Sequence, residues 1–192
     1  MSLDDLVTAI MGGAVAAVAT DTVFGLAARL EDPVAISALF AIKQRPPTVA
    51  LPVMVASVED AERLGGTFSP RARSLAAGFW PGALTLVVPA PTELAQRVGG
   101  RDSLGFRIPA APGLLALLER TGPLAVTSCN LHGQPPATTA DAARAVLGTE
   151  LILDGPAVGG VPSTVVEVRR GSLKVLREGA LEIASIEAHP WP

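Results

Sequence analysis

The stretch AVAAVATDTVFGL, residues 14–26, decides the fold class of this chain. Its first six residues are small, apolar and uncharged, which predicts a buried strand over Ala14–Ala19. A double glycine before this run ends a helix that Ser2 caps. Two hydroxyls and a carboxylate, Thr20-Asp21-Thr22, follow the run directly. A helix, a buried strand and then a polar turn is the pattern of an α/β chain.

Short helices and short apolar runs alternate along the rest of the chain. The pairs Asp32-Pro33 and Ser69-Pro70 predict helix starts, and so does Ser57. Further helices are expected near residues 113–120 and 139–147. Apolar runs predict about eight strands, at 14–19, 51–55, 84–88, 104–108, 124–127, 151–153, 164–168 and 173–176. We therefore expect a single α/β domain over residues 1–192, with five or six helices and a mixed sheet that ends in a strand pair.

Composition excludes several classes of protein. Of the 192 residues 49% are hydrophobic and 17% are charged, which excludes a linker or a tail. The net charge of −3 excludes a global basic field for nucleic acid or acidic membranes. Cys129 is the only cysteine, so a reducing, cytoplasmic location is expected. Asp4 and Asp5 stand where a signal peptide would be basic, so we expect no leader. Glycines and prolines interrupt the uncharged stretch 74–92, so we expect no membrane-spanning helix there.

Polar residues at strand and helix ends are the first candidates for a site, because ligands of open α/β sheets bind there. Thr20-Asp21-Thr22 is suited either to bind an amino acid's ammonium and hydroxyl or to cap the next helix. Lys43 and Arg45 are expected in a polar, proline-rich turn at a helix end. There they either clamp a triphosphate or only complement the helix dipole.

Two later segments offer similar chemistry. Thr127-Ser128-Cys129-Asn130 follows a strand, and its hydroxyls and amide either bind phosphate and ribose or cap the turn. Cys129 itself is expected in the core, because no histidine or lysine is evidently paired with it as for a nucleophile. The glycines of 155–160 lead to Ser163 and allow close approach of a phosphate, but the spacing is not that of a P-loop.

Two arginines are placed unusually for strand residues. Arg107 lies within an apolar run and Arg177 ends another. A charged residue in a strand is costly unless it is paired or lines a wet cleft. Both are therefore expected to point into a polar pocket.

Seven of these segments together resemble the YrdC-like (TsaC-type) threonylcarbamoyl-AMP synthase family. They occur in the family's order across roughly residues 14–180. The matching segments are 20–26 (TDTVFGL), 43–46 (KQRP), 79–86 (FWPGALTL), 106–109 (FRIP), 127–130 (TSCN), 162–166 (PSTVV) and 176–179 (LREG). The resemblance implies a YrdC-like fold, in which a twisted mixed sheet with flanking helices surrounds a concave, locally cationic cleft.

The resemblance also implies roles for individual residues. Lys43, Arg45 and Arg107 match positions that act in the reaction. The positions near L-threonine are Thr20, Thr22, Arg107, Ser128 and Ser163. The positions near ATP are Lys43, Arg45, Ser103, Asn130, Thr138 and Arg177.

The implied activity is that of a nucleotidyltransferase. It joins L-threonine, bicarbonate or CO2 and ATP into threonylcarbamoyl-AMP and pyrophosphate, and the product serves threonylcarbamoyladenosine formation in tRNA. Downstream tRNA-modification proteins, and contact with RNA, are the expected partners. Mg²⁺ is expected to accompany ATP, with Asp21 and Asp154 as candidate ligands.

The chain departs from the family pattern at Phe24, Met54, Cys129 and His132, and it lacks a lysine shortly after Arg45. Two alternatives therefore stay open. One is a non-catalytic module for double-stranded RNA binding, against which the acidic composition argues. The other is a diverged paralogue that uses carbamoyl-adenylate chemistry on another substrate.

Overall fold

A computed structural model of the chain describes residues 1–44, 49–156, 159–169 and 172–190. Over this part of the chain, nine strands alternate with eight helices. The helices are α1 Leu3–Met11, α2 Pro33–Lys43, α3 Val58–Arg63, α4 Pro70–Phe79, α5 Thr92–Arg97, α6 Pro112–Thr121, α7 Ala140–Leu147 and α8 Ile183–Ala188. The strands are β1 Ala16–Val18, β2 Gly25–Arg29, β3 Val53–Met54, β4 Leu84–Pro89, β5 Ser103–Arg107, β6 Leu124–Ser128, β7 Ile152–Leu153, β8 Thr164–Arg169 and β9 Ser172–Arg177.

All nine strands form one mixed sheet in the order β7-β1-β2-β6-β3-β5-β4-β8-β9. Strand pairs β1–β7, β3–β5 and β4–β8 are parallel, and the other neighbours are antiparallel. The expected α/β class, mixed sheet and C-terminal strand pair are confirmed. The expectation of a single domain over residues 1–192 stays a prediction.

Helix starts follow the local sequence signals. Ser2 and Ser57 each accept from the backbone N–H three residues on, and Asp5 and Asp60 bond back to the cap residue, which completes two capping boxes. Asp32 caps α2 without a capping box, by accepting from the backbone N–H of Val34 and of Ala35, and a proline opens that helix. These bonds satisfy N–H groups that have no partner within the helix.

The two faces of the sheet are covered differently. Leu84, Leu86 and Val88 of β4 point into the main core, while the alternate residues Thr85 and Val87 face a cavity. On this second face a smaller apolar cluster joins α1 and α6 to β1, β2 and β6. The helices therefore cover only one end of the face, and the uncovered remainder is the floor of the cavity.

Strand β2 and helices α5 and α8 were not expected from the sequence. The sequence of β2, Gly-Leu-Ala-Ala-Arg, has low β-propensity and no polar alternation. It forms a strand because it lies between β1 and β6, where four of its five residues are buried. Tertiary pairing thus decides the structure of this segment. No helix in the described ranges is long and apolar enough to cross a membrane.

Gly179 brings the end of the sheet against the segment that precedes β8. A Cβ at this position would lie 2.3 Å from the carbonyl oxygen of Pro162 and 2.4 Å from the carbonyl carbon of Ser163. The neighbouring Ala180 N–H donates to the Pro162 carbonyl at 2.9 Å. Only glycine therefore permits this contact between two backbone segments.

Replacing Gly179 with alanine is expected to lower the free energy of unfolding by about 2 kcal/mol or more, because the added methyl meets backbone that cannot turn away. Chemical denaturation measures the change. Gly113→Ala is the matched control, since its Cβ would find only Leu153 methyls at 3.9 Å and alanine favours the helix. Equal stability of both variants would contradict the close approach.

Candidate functional site

The open face of the sheet carries a cavity of about 540 Å³, a size common for small-molecule sites. Strands β4, β5, β6, β8 and β9 contribute to its walls, as do the loops before β2 and β5. Seven of the residues predicted from the sequence line it. They are Thr20, Thr22, Ser103, Arg107, Ser128, Ser163 and Arg177.

Arg107 lies at the end of β5 and is only 3% exposed. Its Nη2 donates to Asp21 Oδ1 at 2.6 Å, its Nη1 to Thr22 Oγ1 at 3.0 Å and its Nε to the Gly82 carbonyl at 2.9 Å. Burial lowers the pKa of the guanidinium, whereas the charge of Asp21 raises it. The expectation that Arg107 points into a polar pocket is confirmed, and Asp21 is its counterion.

The Thr20-Asp21-Thr22 turn is held by its own hydroxyls. Thr20 Oγ1 donates to the Val23 carbonyl at 2.6 Å and accepts from the backbone N–H of Thr22 and of Val23. The alternative that these residues cap a helix is wrong, because a strand follows them and the next helix is capped by Asp32. The turn instead presents Asp21 and Thr22 to Arg107.

Lys43 is the last residue of α2 and is buried, at 2% exposure, whereas the sequence predicted a polar, proline-rich turn rather than a buried position. Its Nζ lies 2.6 Å from the Ser128 carbonyl, 3.3 Å from Ser128 Oγ, 3.1 Å from the Asn130 carbonyl and 2.6 Å from Asn130 Oδ1. The ammonium therefore holds the turn after β6 in shape. Arg45, its predicted companion, lies outside the described residues.

Asn130 and Thr138 are not among the residues that line the cavity. The Asn130 amide donates to the carbonyls of Leu131 and Gln134, at 3.0 and 2.6 Å. The Thr138 methyl lies 3.4 Å from the position of a Cβ on Gly160. The cavity lining thus contains all five residues predicted to bind the amino acid, together with Ser103 and Arg177. Lys43, Asn130 and Thr138 do not line the cavity.

Arg177 closes the far side of the cavity. Its Nε and Nη2 donate to the Ser163 carbonyl at 3.1 and 2.8 Å, and Nη2 lies 3.2 Å from Ser163 Oγ. Ser163 Oγ is also 2.9 Å from Thr85 Oγ1. Thr85 lies within a strand rather than at its end, so strand-end position does not single it out. Its signal in the sequence is a polar residue between Leu84 and Leu86.

Two of the charged side chains that line the cavity are in ion pairs, Arg107 with Asp21 and Asp102 with Arg169. Besides Arg107 and Arg177, Arg101 and Asp102 line it. Asp102 accepts two hydrogen bonds from Arg169, at 2.8 and 3.2 Å, which lower the pKa of its carboxyl. This exposed pair links the residue before β5 to the end of β8. That the cleft as a whole is cationic stays a prediction.

Cys129 is fully buried in the main core, as expected from the sequence. Burial raises the pKa of its thiol from 9.0 to about 11, although Lys43 opposes the shift. Its Sγ lies 3.8 Å from the Ala143 carbonyl. A thiol in this state is a poor nucleophile at neutral pH.

Ligands for a resident metal ion are not clustered in the described part of the chain, where no three His, Cys, Asp or Glu side chains converge. Asp21 and Asp154 line a separate cavity of about 310 Å³, and Asp21 pairs with Arg107. The described residues therefore offer Mg²⁺ no site of three or more such side chains.

The fold and the cleft define a class of α/β protein in which a mixed sheet carries a polar, arginine-lined substrate site on one open face. The profile of the Sua5/YciO/YrdC family, described as "Telomere recombination", matches residues 8–179. The chain therefore belongs to this family.

Individual relatives agree with this assignment. Threonylcarbamoyl-AMP synthase of Sodalis glossinidius is 35% identical over 180 residues, which cover 91% of this chain and 94% of that protein. The enzyme of the same name from Bacillus subtilis is 37% identical, and the chain spans 52% of its length. The crystal structure of P. abyssi Sua5 in complex with L-threonine superposes with a TM-score of 0.88 at 33% identity, over 97% of this chain and 57% of that one.

Removal of the Arg107 counterion is expected to destabilise the fold. Asp21→Asn keeps an oxygen for the hydrogen bond but removes the charge, and the change should lower the free energy of unfolding by about 3 kcal/mol. Asp4→Asn is the control, because Asp4 pairs with Arg120 on the surface and its loss should change stability very little. Denaturant titration compares the two. Similar values would show that the pair is not effectively buried.

The Cys129 thiol is expected to make stability depend on pH in alkaline solution. Its pKa is higher in the folded than in the unfolded chain, so stability relative to Cys129→Ala should fall as pH rises from 9 to about 11. Denaturation of both proteins across this range measures the difference. Below pH 9 the variant should keep its catalytic activity. A folded but inactive variant would instead indicate a covalent role for the thiol.

Proposed function

We propose that this protein is a threonylcarbamoyl-AMP synthase, which makes threonylcarbamoyl-AMP and pyrophosphate from L-threonine, bicarbonate or CO2 and ATP. One observation carries the proposal. All five residues assigned to the amino acid share a single cavity with two residues assigned to the nucleotide, Ser103 and Arg177. Membership of the family and the synthase names of its relatives support the same activity.

The chemistry needs positioning and charge neutralisation more than covalent help. The neutral amine of threonine attacks bicarbonate or CO2 and forms a carbamate, and water or a proton is released. A carbamate oxygen then displaces pyrophosphate from the α-phosphorus of ATP. Both reactants of the second step are anionic, so fixed cationic groups lower its barrier.

Arg107 is the residue proposed to bind the threonine carboxylate. Three of the five N–H groups of its guanidinium already bind Asp21, Thr22 and Gly82. These bonds fix the plane of the group, and two N–H groups remain for a carboxylate. Because the guanidinium is already oriented, little side-chain entropy is lost on binding.

Arg177 and the turn after β6 are proposed to serve the nucleotide. Arg177 is held by Ser163 at the opposite side of the cavity. Lys43 shapes the turn that contains Ser128 and Asn130, so its proposed role toward ATP includes positioning these two residues. Direct contact of Lys43 and Arg45 with phosphates, and the contribution of Thr138, stay predictions from the resemblance.

Mg²⁺ is proposed to arrive with ATP, with phosphate oxygens and water as its ligands, because the described residues offer it no cluster of carboxylates. Transfer of the product to a downstream tRNA-modification protein, RNA contact and a cytoplasmic location stay predictions.

The decisive experiment is mass-spectrometric detection of threonylcarbamoyl-AMP after incubation with ATP, threonine and bicarbonate. Pyrophosphate release should require both threonine and bicarbonate. Valine should be rejected strongly, since it leaves buried polar groups of the site unpaired, whereas serine should be discriminated by about 1–3 kcal/mol.

This assay, together with an RNA-binding measurement, separates the alternatives. Turnover of carbamoyl phosphate, or of another amine in place of threonine, would indicate the diverged paralogue. RNA binding without any adenylate would favour the non-catalytic module.

A further inference from the structure

Thr85 lies in the middle of β4 and faces the cavity. It is 3% exposed, while its neighbours Leu84 and Leu86 point into the core. Its methyl group packs on the bare backbone of Gly105, where a Cβ would lie 3.1 Å away. The hydroxyl is therefore held in one orientation at the cavity floor, although the family resemblance assigns it no role.

The Thr85 and Ser163 hydroxyls together carry two hydrogen atoms, and the bond between them uses only one. Thr85 Oγ1 and Ser163 Oγ lie 2.9 Å apart, and one hydrogen atom lies between them. Ser163 Oγ also accepts from Arg177, and the Thr85 hydroxyl has no second partner among the residues that the structure describes. Whichever of the two hydroxyls donates to the other, one hydroxyl hydrogen of the pair is left without an acceptor.

Three other hydroxyls of the cavity, those of Thr20, Thr22 and Ser128, each donate to an acceptor in the protein. Thr20 donates to the Val23 carbonyl, so Thr22, 3.0 Å away, donates to Thr20. Ser128 donates to Asn130 Oδ1 at 2.7 Å. An unpaired hydrogen on a group as buried as Thr85 or Ser163 is costly. Because both line the cavity, an oxygen of a bound ligand is the natural acceptor.

The position of Thr85 indicates which ligand supplies that oxygen. Leu86 pairs with Phe106 across β4 and β5, which puts Thr85 beside Arg107 on the cavity face. On its other side Thr85 pairs with Val165, and Val165 pairs with Arg177. Thr85 thus lies between the two arginines and next to the one proposed for the amino acid.

We propose that Thr85 is a further residue of the amino-acid site, which together with Ser163 donates one hydrogen bond to an oxygen of bound L-threonine. The proposal rests on the proposed function. Thr85→Val keeps the shape but removes the hydroxyl and its hydrogen, and with them the bond to Ser163. Its affinity for threonine should fall tenfold or more, while its affinity for ATP should stay within about threefold.

Calorimetric titration of the full chain with L-threonine alone, and separately with ATP, tests this assignment. Thr85→Ser keeps the hydroxyl and should bind threonine within about twofold of wild type. Thr164→Val is the matched control, because it also loses a buried hydroxyl in the same sheet, but one that donates to the Leu181 carbonyl at 2.6 Å. The folded Thr164→Val variant should bind threonine with the affinity of the wild type. Thr85→Ala serves as the deletion if the valine variant does not fold.

Unchanged threonine affinity in the folded Thr85→Val or Thr85→Ala variant would overturn the assignment, and so would a loss confined to ATP. Weakened threonine binding supports it even if the wild type forms no adenylate, an outcome that would refute only the proposed function. A wild type that neither binds threonine nor forms the adenylate would refute both.

Discussion

The site depends on one guanidinium buried beneath the open face of the sheet. Arg107 is tied to Asp21 and Thr22, more than 80 residues earlier in the chain, and to the Gly82 carbonyl before β4. A cation so fully buried is tolerated only when a counterion and hydrogen bonds replace its hydration. These bonds therefore fix the relative positions of three segments: the turn after β1, the segment before β4 and the end of β5. Together the three segments form one wall of the cavity.

A second buried cation, Lys43, also ties distant segments of the chain together. Lys43 ends α2 and points its ammonium at four oxygens of Ser128 and Asn130. The backbone reinforces the contact, since His132 N–H donates to the Lys43 carbonyl at 2.9 Å. The observed contacts of this lysine thus fix the turn that contains Ser128 and Asn130. Its contact with ATP stays a prediction from the resemblance.

The cavity itself is a consequence of unequal coverage of the sheet. Period-two alternation sends the large side chains of β4 and β5 to the main core and leaves Thr85, Val87, Ser103 and Gly105 on the opposite face. Helices α1 and α6 cover that face only near β1, β2 and β6. Since Gly105 has no side chain, the floor stays deep between Thr85 and Val87, whose methyl groups lie within 3.6 Å of the absent Cβ.

The sequence by itself determined the α/β class, the starts of the helices capped by Ser2, Asp32, Ser57 and Ser69, and the family, because capping residues, apolar runs and ordered motifs are local signals. It also indicated that Arg107 and Arg177 enter a pocket, since a charge within a strand needs a wet or paired environment. Only the tertiary structure decided that β2 is a strand, that Lys43 is buried and that Asn130 and Thr138 do not line the cavity. It alone joined Thr85 to Ser163, 78 residues apart. Strand register over such separations depends on how the whole sheet packs, and no local pattern of residues specifies it.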